Sequence, residues 1–231
     1  SISTSSYKTG NSSLYLNKDY GIQYLLNSST TSTTDGLSFS VWYRSNSSNI
    51  WARIFDFGNG ANVDNIGISA NAGNNNWLGF FCTPGDNFYL SDINYNDNKW
   101  RHIVWTLTYS PEANYTSIWK IYIDGELKAN LSSRVYPRTS VTRNLSYIGK
   151  SNWDDGAYNG WIDDFRMYNR VLSDSEASIL YSSDNVYLLK TGNSHITTIP
   201  QGLSYFNPAT SGYAIYSSNP WLPNGYYWIK S

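Results

Sequence analysis

The sequence predicts an all-β fold, an antiparallel β-sandwich of jelly-roll type with one short helix, and three observations predict it. Short runs rich in β-branched and aromatic residues recur along the first three-quarters of the chain, separated by clusters of Gly, Asn, Ser and Asp. Where Ile121 and Ile123 flank Tyr122, one face of the run is apolar and the other amphipathic, as in a half-buried strand. No self-similar period of roughly 20–50 residues is evident, which disfavours a propeller or solenoid and leaves a sandwich or jelly roll.

The expected strands are Leu37–Arg44, Ile50–Phe57, Asn65–Ala70, Trp77–Thr83, Trp100–Tyr109, Trp119–Asp124 and Tyr147–Gly149. Gly58-Asn59-Gly60 reads as a turn between two of them and not as a dinucleotide fingerprint. Leu78-Gly79-Phe80-Phe81-Cys82 reads as a buried strand, so the single cysteine belongs to the core rather than to a nucleophile. Asp124-Gly125 marks a hairpin, because a type I′ turn needs positive φ at both central residues. Ser173-Asp174-Ser175-Glu176 fits a capping box, and Ala177, Ile179 and Leu180 support about two turns of helix behind it. Composition shifts near Ser182: from Asn185 onward the only charges are Lys190 and Lys230, and four of the seven prolines fall there. Residues 1–182 are therefore expected to form the sandwich, and 183–231 an irregular extension or the start of a further domain.

Composition narrows the function. The 231 residues hold 16 basic and 17 acidic side chains, a formal charge of −1, which removes the simplest nucleic-acid and membrane-surface partners because those need a basic face. Charged residues are 14% of the chain, against about 25% in an average domain, while aromatics reach 17%. Neutral Ser, Thr and Asn must make the surface polar, and this aromatic content argues against disorder. No apolar run approaches about 18 residues, so no membrane insertion is expected. The opening Ser1-Ile2-Ser3-Thr4 shows no signal peptide, which suggests a processed chain. Two histidines and one cysteine do not suffice for a usual structural zinc site.

Five segments, in order, carry a family resemblance: Ser13–Tyr20, Leu37–Arg44, Trp100–Val104, Trp119–Gly125 and Gly160–Ser173. Together they cover residues about 9–182, which resemble the concanavalin A-like jelly rolls of the laminin-G-like and pentraxin-like class. The family often carries a structural calcium. The resemblance implies that Asp163 would supply a carboxylate and the turn at Asn17 a further oxygen, joining both ends of the chain through hard oxygen ligands. Asn17 departs from the family's usual Asp. The closing Asn224–Lys230 resembles the opening of fibrinogen-related domains.

Such folds host lectins, adhesion modules, hydrolases and lyases, so function must be read from a site. A laminarinase-like hydrolase would need paired glutamates on one strand, but the three glutamates present, Glu112, Glu126 and Glu176, are scattered. A polysaccharide lyase would use Tyr or His as base and Arg, Asn or His against a uronate carboxylate. No spacing singles out such a base, His102 matches a strand residue whose usual role is structural, and catalytic residues stay unknown.

What remains is aromatic richness in polar loops. Sugars stack their C–H faces on Trp or Tyr while amides, carboxylates and guanidinium groups bond the hydroxyls. The expected glycan-binding residues are Trp51, Arg53, Trp77, Trp153, Asp154 and Tyr158. Trp42, Trp105 and Trp161 lie inside strands and are assigned to packing. Six Asn-x-Ser/Thr sequons, at Asn11, Asn27, Asn46, Asn114, Asn130 and Asn144, agree with an exported protein, although an Asn-rich chain generates some by chance. The expectation is a non-catalytic glycan-binding or adhesion module, taking a polysaccharide or glycoprotein glycan, on a secreted, cell-surface or virion-surface protein. A polysaccharide lyase and a structural protein–protein module are the alternatives.

Overall fold

In chain order the strands are β1 (Ile2–Ser3), β2 (Ser13–Leu16), β3 (Ile22–Leu26), β4 (Leu37–Ser45), β5 (Arg53–Gly58), β6 (Ile66–Ala72), β7 (Trp77–Cys82), β8 (Asp86–Leu90), β9 (Arg101–Leu107), β10 (Thr116–Ile123), β11 (Glu126–Val135), β12 (Arg143–Ile148), β13 (Gly160–Tyr168), β14 (Leu189–Thr191), β15 (Ser194–Ile196) and β16 (Tyr226–Ile229). One helix, α1 (Asp174–Ser182), follows β13. The structure, a computed structural model, describes residues 1–17, 21–26, 35–73, 75–110, 116–139, 141–182, 189–191, 194–196 and 226–229. Sequons Asn27 and Asn114, Glu112 and most of the tail lie outside the described residues.

The strands form the antiparallel sandwich that the sequence predicts. The first sheet runs β1-β2-β13-β4-β9-β10-β11, with β16 also on β13; the second runs β3-β12-β5-β6-β7-β8. Strand alternation decides what each face does. On β4, Leu37, Phe39, Val41 and Tyr43 enter the core, while Ser38, Ser40 and Trp42 point away. Ile66, Ile68 and Ala70 of β6 and Leu78, Phe80 and Cys82 of β7 meet them from the second sheet. Ring contacts cross the sandwich: Phe39 lies 4.8 Å from Phe55, and Phe80 lies 5.5 Å from Trp105. Truncating such a ring to Ala would cost about 3–5 kcal/mol.

The Asp124-Gly125 hairpin forms between β10 and β11, with φ of 52° and 80° at its two central residues. The capping box forms too: the Glu176 N–H donates to Ser173 Oγ (3.3 Å) and the Ser173 N–H to Glu176 Oε2 (2.8 Å). Helix α1 is nine residues long, somewhat more than its local signals suggest. Packing extends it, since Tyr181 stacks on Trp42 with ring centroids 5.6 Å apart. With Ala177 and Leu180 it covers Val104, Tyr122 and Tyr168, and so seals the outer face of the first sheet. The tail beyond 182, expected to be an irregular extension or the start of a further domain, contains β14, β15 and β16 among the described residues, and β16 pairs with β13 of the first sheet.

Asp163 ties the N-terminal segment to this sheet. Its Oδ2 accepts the backbone N–H groups of Lys8 (2.8 Å) and Thr9 (2.9 Å), and Oδ1 accepts that of Asp164 (2.8 Å). The register Ile162↔Leu14 places Asp163 opposite Ser13, so Asn17, the other residue expected at a calcium site, lies four residues further along the chain, about 13 Å away along the strand.

Two outcomes follow from the burial pattern. Arg170 grips Glu176 bidentately at 2.9 and 2.7 Å, with both side chains buried. Burial pushes the Glu176 carboxyl up, but hydrogen bonds from Arg170 and Ser173 outweigh it and hold the group below its ordinary value. A depressed carboxyl stabilises the fold above the ordinary glutamate value, and that stability is lost as pH falls through the folded value. Urea titrations from neutral to acid pH should show this loss in the wild type and a smaller one in Glu176→Gln. At neutral pH Glu176→Ala should cost about 3–5 kcal/mol by removing the carboxylate that balances the buried Arg170 charge. Burial also pushes the Cys82 thiol up to about 12; an aromatic disulfide reagent should therefore label it only in denaturant.

Candidate functional site

The outer face of the second sheet carries a groove of about 500 Å³, lined from β5, β6, β7, β8 and the loops beside them. Its floor is low because two strand positions lack side chains. A Cβ on Gly67 would overlap the Phe55 carbonyl and the Phe81 ring, and one on Gly79 would meet Ser69 Oγ at 2.6 Å. The pairings Arg53↔Ser69↔Gly79↔Tyr89 and Asp56↔Gly67↔Phe81↔Asn87 run across four neighbouring strands as two rows on this face.

Arg53, only 6% exposed, occupies the centre. A register shift between Arg53 and Phe55 sends Ile54 and Phe55 both to the core and leaves Arg53 on the outer face. Its Nη1 donates to the Trp51 carbonyl (2.8 Å), its Nη2 lies 3.1 Å from Asp155 Oδ2, and its Nε lies 3.9 Å from Asp56 Oδ2. The guanidinium carbon is 4.6 Å from the Phe81 ring centre, 5.2 Å from that of Trp153 and 5.7 Å from that of Trp51, distances at which cation–π attraction operates. Burial lowers the Arg53 pKa and raises that of Asp56, while their mutual attraction opposes both shifts.

The aromatic walls come from loops. Trp51 has φ of 60°, an unfavourable backbone state for a bulky residue. It is held there by its N–H bond to the Asn71 carbonyl (3.2 Å) and by Arg53 on its own carbonyl. Asn71 in turn donates to the Ser47 and Asn49 carbonyls. Strain of this kind, stabilised by its surroundings, concentrates at functional sites. Trp153 is set by Ser151 Oγ, which accepts its N–H (3.0 Å), and by the neighbouring Asn152 N–H on Asp56 Oδ2 (2.8 Å). Tyr89 of β8 joins the wall, 5.8 Å from Trp51 and 6.4 Å from Trp77 between ring centres.

Of the residues expected at a sugar site, the structure brings Trp51, Arg53 and Trp153 together, with Trp77 flanking them through Tyr89. Asp154 is exposed and outside the groove lining; its neighbour Asp155 takes the inward position. Tyr158 is fully buried, with its hydroxyl 2.9 Å from the Arg44 carbonyl and 3.1 Å from that of Trp161, and it is outside the lining of this groove. His102 lies on the opposite layer, beneath α1 and sandwiched by Trp42 and Tyr181. Burial, then the charges of Arg166 and Lys8, lower it to about 3, and its Nε2 lies 2.9 Å from Ser40 Oγ. The sequence reading placed no strand between Thr83 and Trp100, and so missed Tyr89 and Asn87. The signal was there: Thr83-Pro84-Gly85 punctuates the chain, and Phe88 and Leu90 then alternate with Tyr89.

A two-sheet jelly roll with an aromatic groove on one outer face is a lectin-like β-sandwich. The family described as the Concanavalin A-like lectin/glucanases superfamily, of laminin-G type, matches residues 18–178, and the chain belongs to that superfamily. No curated protein matches the chain by sequence. Among solved structures, domain 4 of AbnA, an extracellular arabinanase from Geobacillus stearothermophilus in complex with arabinotriose, is similar at TM-score 0.56 and 21% identity, over 79% of this chain and 82% of that one. The CBM40 of the Ruminococcus gnavus IT-sialidase, bound to α2,3-sialyllactose, is similar at 0.55 and 17% identity, over 74% and 96%. The heptameric SAP-like pentraxin of Limulus polyphemus is similar at 0.53 and 14% identity, over 74% and 80%. These likenesses show the fold.

Because the floor requires Gly67, Gly67→Ala should destabilise the domain by about 1–3 kcal/mol through overpacking. Denaturant unfolding measures the loss.

Proposed function

We propose that the chain is a glycan-binding module that acts without catalysis, and that its groove on the second sheet is the binding surface. One observation carries the reading: Trp51, Tyr89 and Trp153, far apart in sequence, wall a single groove whose remaining polar side chains are suited to hydroxyl groups. Flat rings offer the stacking surface, and Asn62, Ser69, Asn87 and Asp155 offer donors and acceptors around it. Two structurally similar domains were solved with oligosaccharides, arabinotriose and α2,3-sialyllactose, which supports the reading. A secreted or surface-exposed setting is part of the proposal. It is supported by the exposed sequons Asn11, Asn46, Asn130 and Asn144 and by the extracellular enzyme that holds one of the similar domains.

A glycan array followed by calorimetry tests this. Binding should fall about tenfold, equivalent to roughly 1.4 kcal/mol, in Trp51→Ala and again in Trp153→Ala. Both variants should still fold cooperatively, because each ring is partly exposed. Prolonged incubation with the bound polysaccharide should release neither reducing nor unsaturated ends. Failure to bind any glycan on a broad array would overturn the proposal.

A further inference from the structure

We propose that the groove selects uncharged glycans over acidic ones, because the charge of its arginine is neutralised within the protein. The inference rests on the glycan-binding reading above and deepens it. Among the described residues, Arg53 is the only basic side chain in the groove lining. An arginine that reads a sugar carboxylate must present a free edge, since its strength lies in paired N–H donors. Arg53 turns little of its guanidinium to solvent and faces carboxylates of its own chain. Nη1 serves the Trp51 carbonyl, Nη2 faces Asp155 and Nε is buried toward Asp56. Rings of Phe81, Trp153 and Trp51 surround the guanidinium, and the residue is 6% exposed.

The charge balance points the same way. One guanidinium lies between two carboxylates, so the three groups together carry −1. Asp155 lies in the groove lining itself, where an incoming carboxylate would meet a like charge. The other polar side chains there, Asn62, Ser69, Thr83 and Asn87, are amides and hydroxyls, which match sugar hydroxyls without any net charge. Arg53 is thus a positioning residue. It sets the Trp51 carbonyl and packs beneath the ring walls, and its charge is balanced by Asp56 and Asp155 before a ligand arrives.

Matched pairs of probes test the claim on the full chain: galacto- and galacturono-oligosaccharides, manno- and mannurono-oligosaccharides, and lactose with sialyllactose. Calorimetry at low and high NaCl, from about 0.05 to about 0.5 M, separates charge from shape because salt screens ionic contacts. The neutral member of at least one pair should bind at least about tenfold more tightly than its acidic partner, with an affinity nearly flat in salt. Asp155→Asn frees one edge of Arg53 and removes the like charge, so the acidic-to-neutral affinity ratio should rise about tenfold and fall again with salt. The inference is overturned if the wild type prefers the acidic members, or if Asp155→Asn folds and leaves the ratio unchanged. Should that variant not fold, the wild-type pairs decide alone. Tight, salt-sensitive binding of acidic sugars sinks charge selectivity and leaves the glycan reading standing. Absence of binding to every probe and to a broad array sinks both.

Discussion

Everything in this molecule depends on the two-residue alternation of its strands. A sandwich core consumes one face of each sheet, and the two faces left over must be dealt with separately. On the first sheet the remainder is apolar and aromatic, with Trp42, Val104, Tyr122 and Tyr168, and α1 covers it. The Arg170–Glu176 pair and the Ser173 cap fix where that helix starts. On the second sheet the remainder is a row of glycines, a serine, an arginine and rings, and loops border it without covering it. The functional asymmetry of the two layers is therefore an asymmetry of outward-facing side chains, decided strand by strand.

The groove shows how a buried cation is built into an aromatic surface. Taking Arg53 out of water is costly, and two carboxylates together with three ring faces offset that cost. The arrangement also divides labour: strands supply a floor that tolerates no added carbon at Gly67, while the Trp51 and Trp153 loops supply the walls. Asp56 belongs to both parts, facing Arg53 on its own strand and holding the Asn152 N–H of the Trp153 loop.

Much of the fold was legible because strand signals are local. Alternation around Tyr122, the Asp124-Gly125 pair and the Ser173–Glu176 box each act within a few residues, and each formed as its local chemistry dictates. The site was only partly legible. Trp51 and Trp153 stood out as rings among polar neighbours, a pattern that survives folding. Tyr158 stood in an equally polar loop, yet its hydroxyl reaches the carbonyls of Arg44 and Trp161, a pairing across 114 residues in the first case. The Asp163 contacts were not legible for the same reason, since Lys8 and Thr9 lie about 155 residues away and donate chiefly through backbone N–H groups. Phe81 looked like core and lies instead beneath Arg53, because a strand buried on both faces hides which face is which.

The adjacency of β2 and β13 has an architectural consequence. The N-terminal strands β1 and β2 border the first sheet beside β13, while the groove opens on the other layer. Anything packed along that border would leave the outer face of the second sheet open to solvent.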